Sequence, residues 1–451
     1  MPVLLGFSAY PSYTPLHSRL AYVLSFLNNH PLKPAEVVLA MDTDHAAINI
    51  LYSEEASEIP GTVFIIPPQR HFFNGKRVSM PLYANSYHFE GEHVYAVEAQ
   101  KREPRPLIQG RVFQFDILET LFFFISRIEE LERHPVTEPN RHSESSHFLI
   151  RHGLHLEAVA DRLAAAFFRA LGLEADPPDT KYIWTHDIDV LRKFPSWYKF
   201  ARAAGRLLWR NQWPRLFPLL QAYYRTRIKK EDDPFDTFDW LFLGHPGLEK
   251  RAFFMAGGLT RFDNHYQASS AEAREVIQLA FQRGYRLGLH PSYVCWADLA
   301  QFTKEKQLLE SVIGQEVAFS RQHFLNFSIS RTISILEKAG ITEDHSLGFR
   351  AHIGFRCGTG FPFKLYNFEH ERESMVTEVP LVIMDSAILA EAKRRGEEPI
   401  GFLRRFLEKN RKGTQVSVNF HNSSFDGIEW DRQQMKMLYT LIQEFFPGEG
   451  G

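Results

Sequence analysis

The segment Lys181-Tyr182-Ile183-Trp184-Thr185-His186-Asp187-Ile188-Asp189 is the most informative stretch of this chain. Its first four residues are rich in β-forming types and predict a short buried strand. In extended backbone, residues two apart point to the same side, so Asp187 and Asp189 would share one face at the end of that strand. Two adjacent carboxylates repel each other unless a proton or a cation lies between them. The pattern therefore predicts a divalent metal, with one carboxylate as ligand and the other as base; a helix N-cap at either aspartate is the plainer alternative.

The composition predicts a globular protein without a strong charge bias. With 451 residues the chain is long enough for two domains, and its net charge of −2 argues against a globally basic binder of nucleic acids. Two cysteines, Cys295 and Cys357, are too few for a four-thiolate zinc site or a disulfide framework. The N-terminal stretch lacks a basic leader pattern, and no apolar run approaches about 18 residues. We therefore expect a soluble, cytoplasmic protein with no nucleic-acid partner.

Two polar stretches divide the sequence. Residues 132–147 have loop composition, and residues 174–180 are typical of a linker. We interpret residues 1–150 as an N-terminal α/β domain of unknown role, residues 151–180 as a connecting helix and linker, and residues 181–446 as a second domain.

Few signals in the N-terminal part point to chemistry. Its patterns predict strands at Val37–Ala40 and Val63–Ile66, a helix at Leu118–Leu131, and a connecting helix within Leu154–Leu171. The polar cluster Asp42, Asp44 and His45 is better explained as a surface turn than as a site.

From Lys181 onward, strand and helix patterns alternate. The predicted strands are Tyr182–Trp184, Ala252–Ala256, Arg286–Leu289, Ser346–Phe349, Val379–Met384 and Gln415–Phe420. The predicted helices are Ala271–Arg283, Lys304–Val312, Ser328–Ala339, Phe402–Lys409 and Arg432–Phe446. This alternation indicates a parallel sheet, and about six to eight such units favour an α/β fold with a (β/α) barrel, complete or incomplete.

Chemically useful side chains follow the predicted strands at the point where each strand ends. His290 follows Leu287-Gly288-Leu289, Asp385 follows Val379–Met384, and His421 follows Gln415–Phe420. In β/α barrels the active site lies at these strand ends. A lone histidine after a strand is usually structural, but several carboxylates and imidazoles at corresponding strand ends indicate a functional site.

With these motifs in this order, residues 181–445 resemble the polysaccharide deacetylase (NodB-homology) superfamily, the carbohydrate esterases of family four. The matching segments are THDID at 185–189, AFFMAGG at 252–258, LGLHPSY at 287–293, GFRCGTGFPF at 354–363, VIMD at 382–385 and NFHNSS at 419–424. The chain is similar in particular to a bacterial subgroup with an extra N-terminal domain and a THDVD-type first motif. That subgroup's SRYEEYL-like and RxHFL stretches correspond to Ser126–Leu131 and Arg321–Leu325.

The resemblance implies a metal-dependent hydrolase that removes N-acetyl groups from a sugar or polysaccharide by attack of a metal-bound water. It implies a divalent metal, zinc before others, with Asp189 and His290 as ligands. It implies Asp187 as general base, Arg356 as the arginine that orients this base, His421 as acid toward the leaving amine and Asp385 as the carboxylate that polarises His421. Tyr293, Gly358 and Phe361 fall where substrate contacts are expected.

One departure from the family pattern bears on activity. The usual second motif is His-x-x-x-His, but Val294 stands four residues after His290 and cannot bind metal. His323 is the candidate replacement, with Ser292 or additional water as alternatives. A catalytically silent carbohydrate-binding or scaffold protein is therefore a competing interpretation. A glycoside hydrolase is disfavoured, because carboxylates two residues apart on one strand are too close to flank a glycosidic bond.

The segment 190–230, directly after the first strand of the barrel, is strongly basic. It contains eleven Lys and Arg residues, no Asp or Glu, and many interleaved aromatic residues. It is too long for a plain strand-to-helix loop, so part of it should form a helical insertion near the mouth of the site. Structural cover of the barrel is one interpretation, and contact with an anionic glycan or a membrane surface is the other.

Overall fold

The computed structural model describes residues 3–9, 17–41, 46–53, 62–74, 81–131, 144–243, 247–258, 260, 262–263 and 266–446. In this part of the chain the strands form sheets of six, three and nine strands. The polar cluster Asp42, Asp44 and His45 lies outside the described residues.

Before residue 181, the described strands build the two smaller sheets. They are β1 (Val3–Ala9), β2 (Val37–Met41), β3 (Ile48–Tyr52), β4 (Thr62–Ile66), β5 (Tyr83–Phe89), β6 (Glu92–Glu98), β7 (Arg105–Pro106), β8 (Ile108–Gln109) and β9 (Val112–Phe113). The helices are α1 (His17–Asn29), α2 (Ile117–Ser126), α3 (Phe148–Arg151) and α4 (Val159–Ala170). The six-stranded sheet has the order β2-β1-β3-β4-β9-β8 and is parallel from β2 to β9; the other sheet has the order β6-β5-β7.

From residue 181 onward, the chain builds the nine-stranded sheet. Its strands are β10 (Lys181–Ile188), β11 (Glu249–Phe254), β12 (Arg286–Leu289), β13 (Phe319–Ser320), β14 (Glu343–Asp344), β15 (Phe363–Asn367), β16 (Arg372–Glu378), β17 (Leu381–Met384) and β18 (Gln415–Asn419). The helices are α5 (Trp197–Trp209), α6 (Leu216–Arg227), α7 (Phe238–Leu241), α8 (Ala271–Gln282), α9 (Leu299–Ile313), α10 (Thr332–Lys338), α11 (Asp385–Arg395), α12 (Pro399–Lys409) and α13 (Arg432–Gln443).

The nine-stranded sheet is a curled, incomplete barrel. Its order is β15-β16-β14-β13-β12-β11-β10-β18-β17, and all pairs are parallel except β15 with β16. The edge strands β15 and β17 do not pair with each other within the described residues. The expected α/β architecture with an incomplete barrel is thus present in this coarse form.

One predicted strand, Ser346–Phe349, is wrong, and its position explains why the barrel stays open. This stretch is irregular, and the backbone N–H of Gly354 donates to the carbonyl of Val382 on β17. Gly348 lies so close to β17 that a Cβ on it would stand 2.8 Å from the backbone oxygen of Leu381. An irregular segment therefore covers β17 where a closing strand would have paired.

The remaining predicted elements match in position, with shifted ends. Strand β10 is buried from its second residue onward, because helices and neighbouring strands cover both of its faces. Helix α9 starts where the Asp298 side chain accepts from the backbone N–H of Gln301, and it ends at Gly314 in the left-handed region. Such capped helices return the chain to the start of each next parallel strand, so the carboxyl ends of β10, β12, β13, β17 and β18 meet at one edge.

None of the described helices combines the length and the apolar character that crossing a bilayer requires.

Candidate metal centre and active site

The alternation of β10 separates its functional side chains from its core side chains. Thr185 and Asp187 lie on the face that contacts Arg321. His186 points to the opposite side, where its Nδ1 lies 2.8 Å from the carbonyl oxygen of Phe420 and its ring stacks on Tyr439. Burial lowers the pKa of His186 to about 4, so this histidine is neutral at physiological pH. It is therefore a core residue.

Asp189, His290 and His323 form a group suited to a cation, which we call the metal group. One ligand atom from each lies within 4.8 Å of the others. Asp189 Oδ1 is 3.1 Å from His290 Nε2 and 3.9 Å from His323 Nε2. His290 directly follows β12, and His323 begins a 3-10 turn after β13. Two imidazoles and one carboxylate are the donor types typical of a catalytic zinc site, which leaves one coordination position open.

The hydrogen bonds and charges around these three residues fit a bound divalent metal. His290 Nδ1 lies 2.6 Å from the carbonyl oxygen of Arg321, so a neutral His290 carries its proton on Nδ1 and directs the lone pair of Nε2 toward Asp189. Asp189 Oδ1 is buried and has no hydrogen-bond donor among the described residues. Burial lowers the pKa of His290, but the carboxylates of Asp187 and Asp189 more than offset this and raise it. The carboxylates therefore attract a positive charge to this group, which a proton on His290 or a cation can supply, and its donor set fits a divalent cation.

The carboxylate of Asp263 lies beside Nδ1 of His323, on the side of the ring opposite Asp189. His323 Nδ1 lies 3.6 Å from Asp263 Oδ1, and Asp263 also accepts from the backbone N–H groups of Tyr293 and Thr260. A carboxylate on the far side of a ligating imidazole fixes the orientation of the ring. Phe324 and Leu325, directly after His323, both have positive φ, which costs energy for non-glycine residues. The surrounding packing thus holds His323 in a strained turn that aims it at Asp189.

Asp187 is held by two side-chain donors. Arg321 Nη1 donates to its Oδ1 over 2.8 Å, and Asn419 Nδ2 donates to its Oδ2 over 2.9 Å. Arg321 is itself fully buried, with further bonds to Thr185 Oγ1 and the carbonyl oxygen of His345. The carboxylate is thus fixed with its Oδ2 3.9 Å from His421 Nε2, without needing to ligate a metal itself.

His421 and Asp385 form a second oriented pair. Asp385 lies 3.0 Å from His421 Nδ1 and also accepts from the His421 backbone and from Ser424 Oγ. His421 Nε2 then faces Asp187 and Asp189, at 3.9 and 3.8 Å from their nearest oxygens. Burial lowers the pKa of His421, but Asp385, Asp189 and Asp187 outweigh it and raise the pKa to about 10. The imidazole is therefore protonated at neutral pH in this arrangement.

The resemblance implied that Arg356 orients Asp187, but the structure places Arg356 elsewhere. The guanidinium of Arg356 pairs with Glu130, at 3.0 Å from both carboxylate oxygens, and donates to the carbonyl of Gly348. Arg321 occupies the position that the base-orienting arginine requires. The reason is that Arg356 belongs to the irregular segment over β17, which directs it toward the N-terminal residues.

Two of the three expected substrate contacts also lie elsewhere. Gly358, at φ +67°, would place a Cβ against Val159 and Ala160 of α4, and Phe361 is buried against the ring of His30. Both therefore join the barrel to the preceding residues. Tyr293 lies near the site and is partly exposed; its backbone donates to Asp263, and its ring packs on Phe262 with centroids 4.6 Å apart.

Sequence reasoning missed three supporting residues, Arg321, Asn419 and Asp263. Arg321 stands two residues before His323 in the same motif, and Asn419 two residues before His421. Alternation along extended chain would have placed both beside their motif histidines. Asp263 stands seven residues after the predicted strand Ala252–Ala256, too far from its end for the local pattern to indicate a site residue.

Ser292, the other protein ligand considered for the metal, is engaged elsewhere. Its hydroxyl and its backbone N–H both donate to the buried carboxylate of Glu305. This leaves His323 as the better candidate for the third ligand.

A second group of possible ligands consists of His155, His352 and Glu391. Glu391 already pairs with Arg394 at 2.7 Å and with Arg395 at 2.8 Å. Two guanidinium groups on one carboxylate oppose the approach of a divalent cation. We therefore interpret this group as an ion-pair network.

A cavity of about 520 Å³ opens beside the metal group. Its lining includes Asp189 and Tyr266 next to the metal group, and Lys199, Arg202 and Arg206 from α5. The basic segment after β10 therefore forms a helical insertion at the mouth of the site, as its length and composition predicted.

Comparisons with known proteins add little to this geometry. The model of DUF7033, a family of unknown function, matches residues 11–174, which include none of the residues of the metal group. No curated protein sequence matches the chain.

Solved structures that are similar over 60% of this chain include the following three. A presumed polysaccharide deacetylase from Mycobacterium smegmatis is 14% identical, with 85% of its own chain covered and a TM-score of 0.33. A mutant of BA3943, a family-four carbohydrate esterase pseudoenzyme with restored activity, is 9% identical, with 65% covered and a TM-score of 0.27. A family-four carbohydrate esterase from Streptomyces lividans, in complex with acetate, is 10% identical, with 92% covered and a TM-score of 0.26. TM-scores of this size do not establish a shared fold.

Proposed function

We propose that this chain is a metal-dependent hydrolase that removes N-acetyl groups from a sugar or polysaccharide. The observation that carries the proposal is the convergence of Asp189, His290 and His323 within ligand distance of one another, beside Asp187 and His421. A divalent cation held by the first three residues, zinc before others, would act as a Lewis acid that polarises the acetyl carbonyl and makes water a better nucleophile.

Asp187 is the group placed to accept a proton from the attacking water. Arg321 and Asn419 each occupy one lone pair of its carboxylate, and each oxygen retains another for this task. Because both partners are buried, the carboxylate keeps its orientation throughout the reaction.

His421 is the group placed to protonate the leaving amine. Its Nδ1 is held by Asp385, so its Nε2 carries the proton toward the space between Asp187 and Asp189. The carboxylate of Asp385 raises the pKa of this imidazole, which helps it to carry a proton to the departing nitrogen near neutral pH.

A silent, carbohydrate-binding protein is the competing interpretation, because Val294 cannot supply the usual second histidine. The position of His323 supports the enzyme, since it supplies a third donor within 4.8 Å of the other two. The ligand set therefore has three protein donors despite the incomplete motif.

Acetate release tests the proposal most directly. The purified chain should release acetate from at least one member of a panel of N-acetylated glycans, and a chelator should abolish this activity until zinc is restored. The variant Asp189→Ala should lose both metal and activity while keeping its circular dichroism spectrum. Stoichiometric metal with no acetate release from any glycan would instead favour the silent protein.

A further inference from the structure

The helical insertion after β10 has one face that packs against the rest of the protein and one face whose apolar side chains are exposed. We define the basic hairpin as α5, the 3-10 turn Trp213–Arg215, α6 and residues 228–230. Its inner face packs through Leu207 and Leu219, and the rings of Phe200 and Tyr223 stack with centroids 4.1 Å apart. This inner packing holds the two helices together and against the barrel near Ile428.

Apolar side chains also cover the outer face of α6. Phe217, Leu220, Tyr224 and Ile228 are 73, 47, 52 and 64% exposed. Their spacing of three, four and four residues places them along one helical stripe. Scattered exposed hydrophobic residues are normal on proteins, but a continuous stripe indicates a contact surface.

Tryptophans are also exposed on α5 and on the turn between the helices. Trp209 is 85% exposed, Trp197 is 70% exposed and Trp213 is 59% exposed. Such exposure is unusual for the largest side chain, which contributes most to binding when it is buried at an interface.

The charge of the hairpin selects the kind of partner. Of the eleven basic residues in 190–230, four pair with carboxylates: Arg192, Lys193, Arg206 and Arg225. The other seven have no carboxylate partner within the described part of the chain; they are Lys199, Arg202, Arg210, Arg215, Arg227, Lys229 and Lys230. Four of these residues, Arg215, Arg227, Lys229 and Lys230, flank the apolar stripe in sequence.

We propose that the outer face of the basic hairpin binds the surface of a bilayer containing anionic lipids. Tryptophan and tyrosine rings settle at the level of the lipid headgroups, aliphatic and phenyl side chains enter the acyl boundary, and Lys and Arg contact anionic headgroups. The same hairpin lines the cavity through Lys199, Arg202 and Arg206, so this contact brings the mouth of the site to the membrane surface.

A second copy of the chain is a poorer partner for this face. A symmetric dimer would place the same basic surface on both sides of the interface, where like charges repel. A bilayer with anionic headgroups supplies both the apolar layer and the opposite charge.

Vesicle flotation tests the proposal on the full chain. The protein should float with phosphatidylglycerol-containing vesicles at low salt, should stay unbound with pure phosphatidylcholine vesicles, and should be released as salt rises. The triple variant Trp209→Ser, Trp213→Ser, Phe217→Ser should reduce binding at least tenfold, and so should Arg210→Gln, Arg215→Gln, Lys229→Gln.

Two equally exposed apolar residues away from the hairpin provide matched controls. Phe281→Ser and Met375→Ser remove side chains that are 58 and 75% exposed, and they should leave vesicle binding unchanged. No binding by the wild-type chain at low salt, or equal binding by the hairpin variants, would overturn the proposal. A dimer in solution that the tryptophan variant dissociates would also overturn it, in favour of self-association.

Discussion

Asp187 and Asp189 share one face of β10, and their neighbours give them different properties. Asp187 is fixed by Arg321 and Asn419, whereas Asp189 faces two imidazole nitrogens and has no fixed donor on Oδ1 among the described residues. The first environment suits a base, and the second suits a metal ligand. Residues with the same chemistry thus differ through the side chains that the fold brings to them.

This difference predicts separable defects in two variants. Asp187→Asn should retain metal and lose roughly 100-fold or more of the deacetylation rate, because a positioned base contributes on that scale. Asp189→Ala should lose metal and activity together. Metal content by atomic absorption and acetate release measured on the same samples check both expectations, and near-normal turnover by Asp187→Asn would show that another group is the base.

The two candidate arginines can be separated in the same way. Arg321→Lys should lower kcat by roughly 10- to 100-fold with little change in KM, because a lysine cannot hold both Asp187 and Thr185 in the planar geometry of the guanidinium. Arg356→Lys should leave kcat near the wild-type value, since Arg356 pairs with Glu130. Steady-state kinetics on both variants decide the matter, and the reverse ranking would restore Arg356 as the orienting residue.

At the scale of elements, the site depends on how closely β12 and β13 approach. Gly288 on β12 leaves no room for a side chain, because a Cβ would stand 2.4 Å from the ring of Phe319 and 3.0 Å from Phe253. The guanidinium of Arg321 lies over the Phe253 ring, 4.4 Å from its centroid. The close packing at Gly288 is therefore transmitted through Phe253 to Arg321, which holds Asp187.

We expect Gly288→Ala to lower the free energy of unfolding by about 1–3 kcal/mol, as overpacking of a core does. The matched control is Gly205→Ala in the exposed part of α5, where a Cβ meets no atom within 4 Å. That change should be neutral or stabilising by about 0.5–1 kcal/mol, because alanine favours a helix over glycine. Denaturant unfolding measures both, and equal effects would contradict this account of the packing.

At the scale of the whole molecule, Asp161 joins distant parts of the chain. It is fully buried, and its carboxylate accepts from the backbone of Gly360 and from Thr414 Oγ1 and lies 3.1 Å from His30 Nε2. The residues before 181 and the barrel are therefore connected through one carboxylate, as well as through Glu130 and Arg356.

Removing this carboxylate should weaken the whole fold. Asp161→Ala should lower the free energy of unfolding by at least about 2 kcal/mol, because each buried donor left without an acceptor costs about 1–3 kcal/mol. Asp161→Asn keeps one acceptor oxygen and should cost less. Chemical denaturation followed by tryptophan fluorescence compares the two variants, and equal losses would mean that packing matters here more than hydrogen bonding.

The amino-acid sequence alone indicated the alternation of strands and helices after residue 181, with β10, β11, β12, β17 and β18 in their places, and the positions of Asp187, Asp189, His290, Asp385 and His421. Asp187 lies near the end of β10 and the other four residues follow strands that are visible in the local pattern, and parallel strands bring their carboxyl ends to one edge. His323 was predictable only as a candidate, because its strand β13 has two residues and no period to detect.

Only the tertiary structure decided which arginine meets Asp187 and where the barrel stays open. Strands β13 and β14 exist because β12 and β16 lie beside them and supply their hydrogen-bond partners. The position of Arg356 depends on its contact with Glu130, and that of Gly348 on its contact with Leu381; both partners are distant in sequence. Local patterns record the preferences of nearby residues, whereas these features depend on partners that only the folded chain brings together.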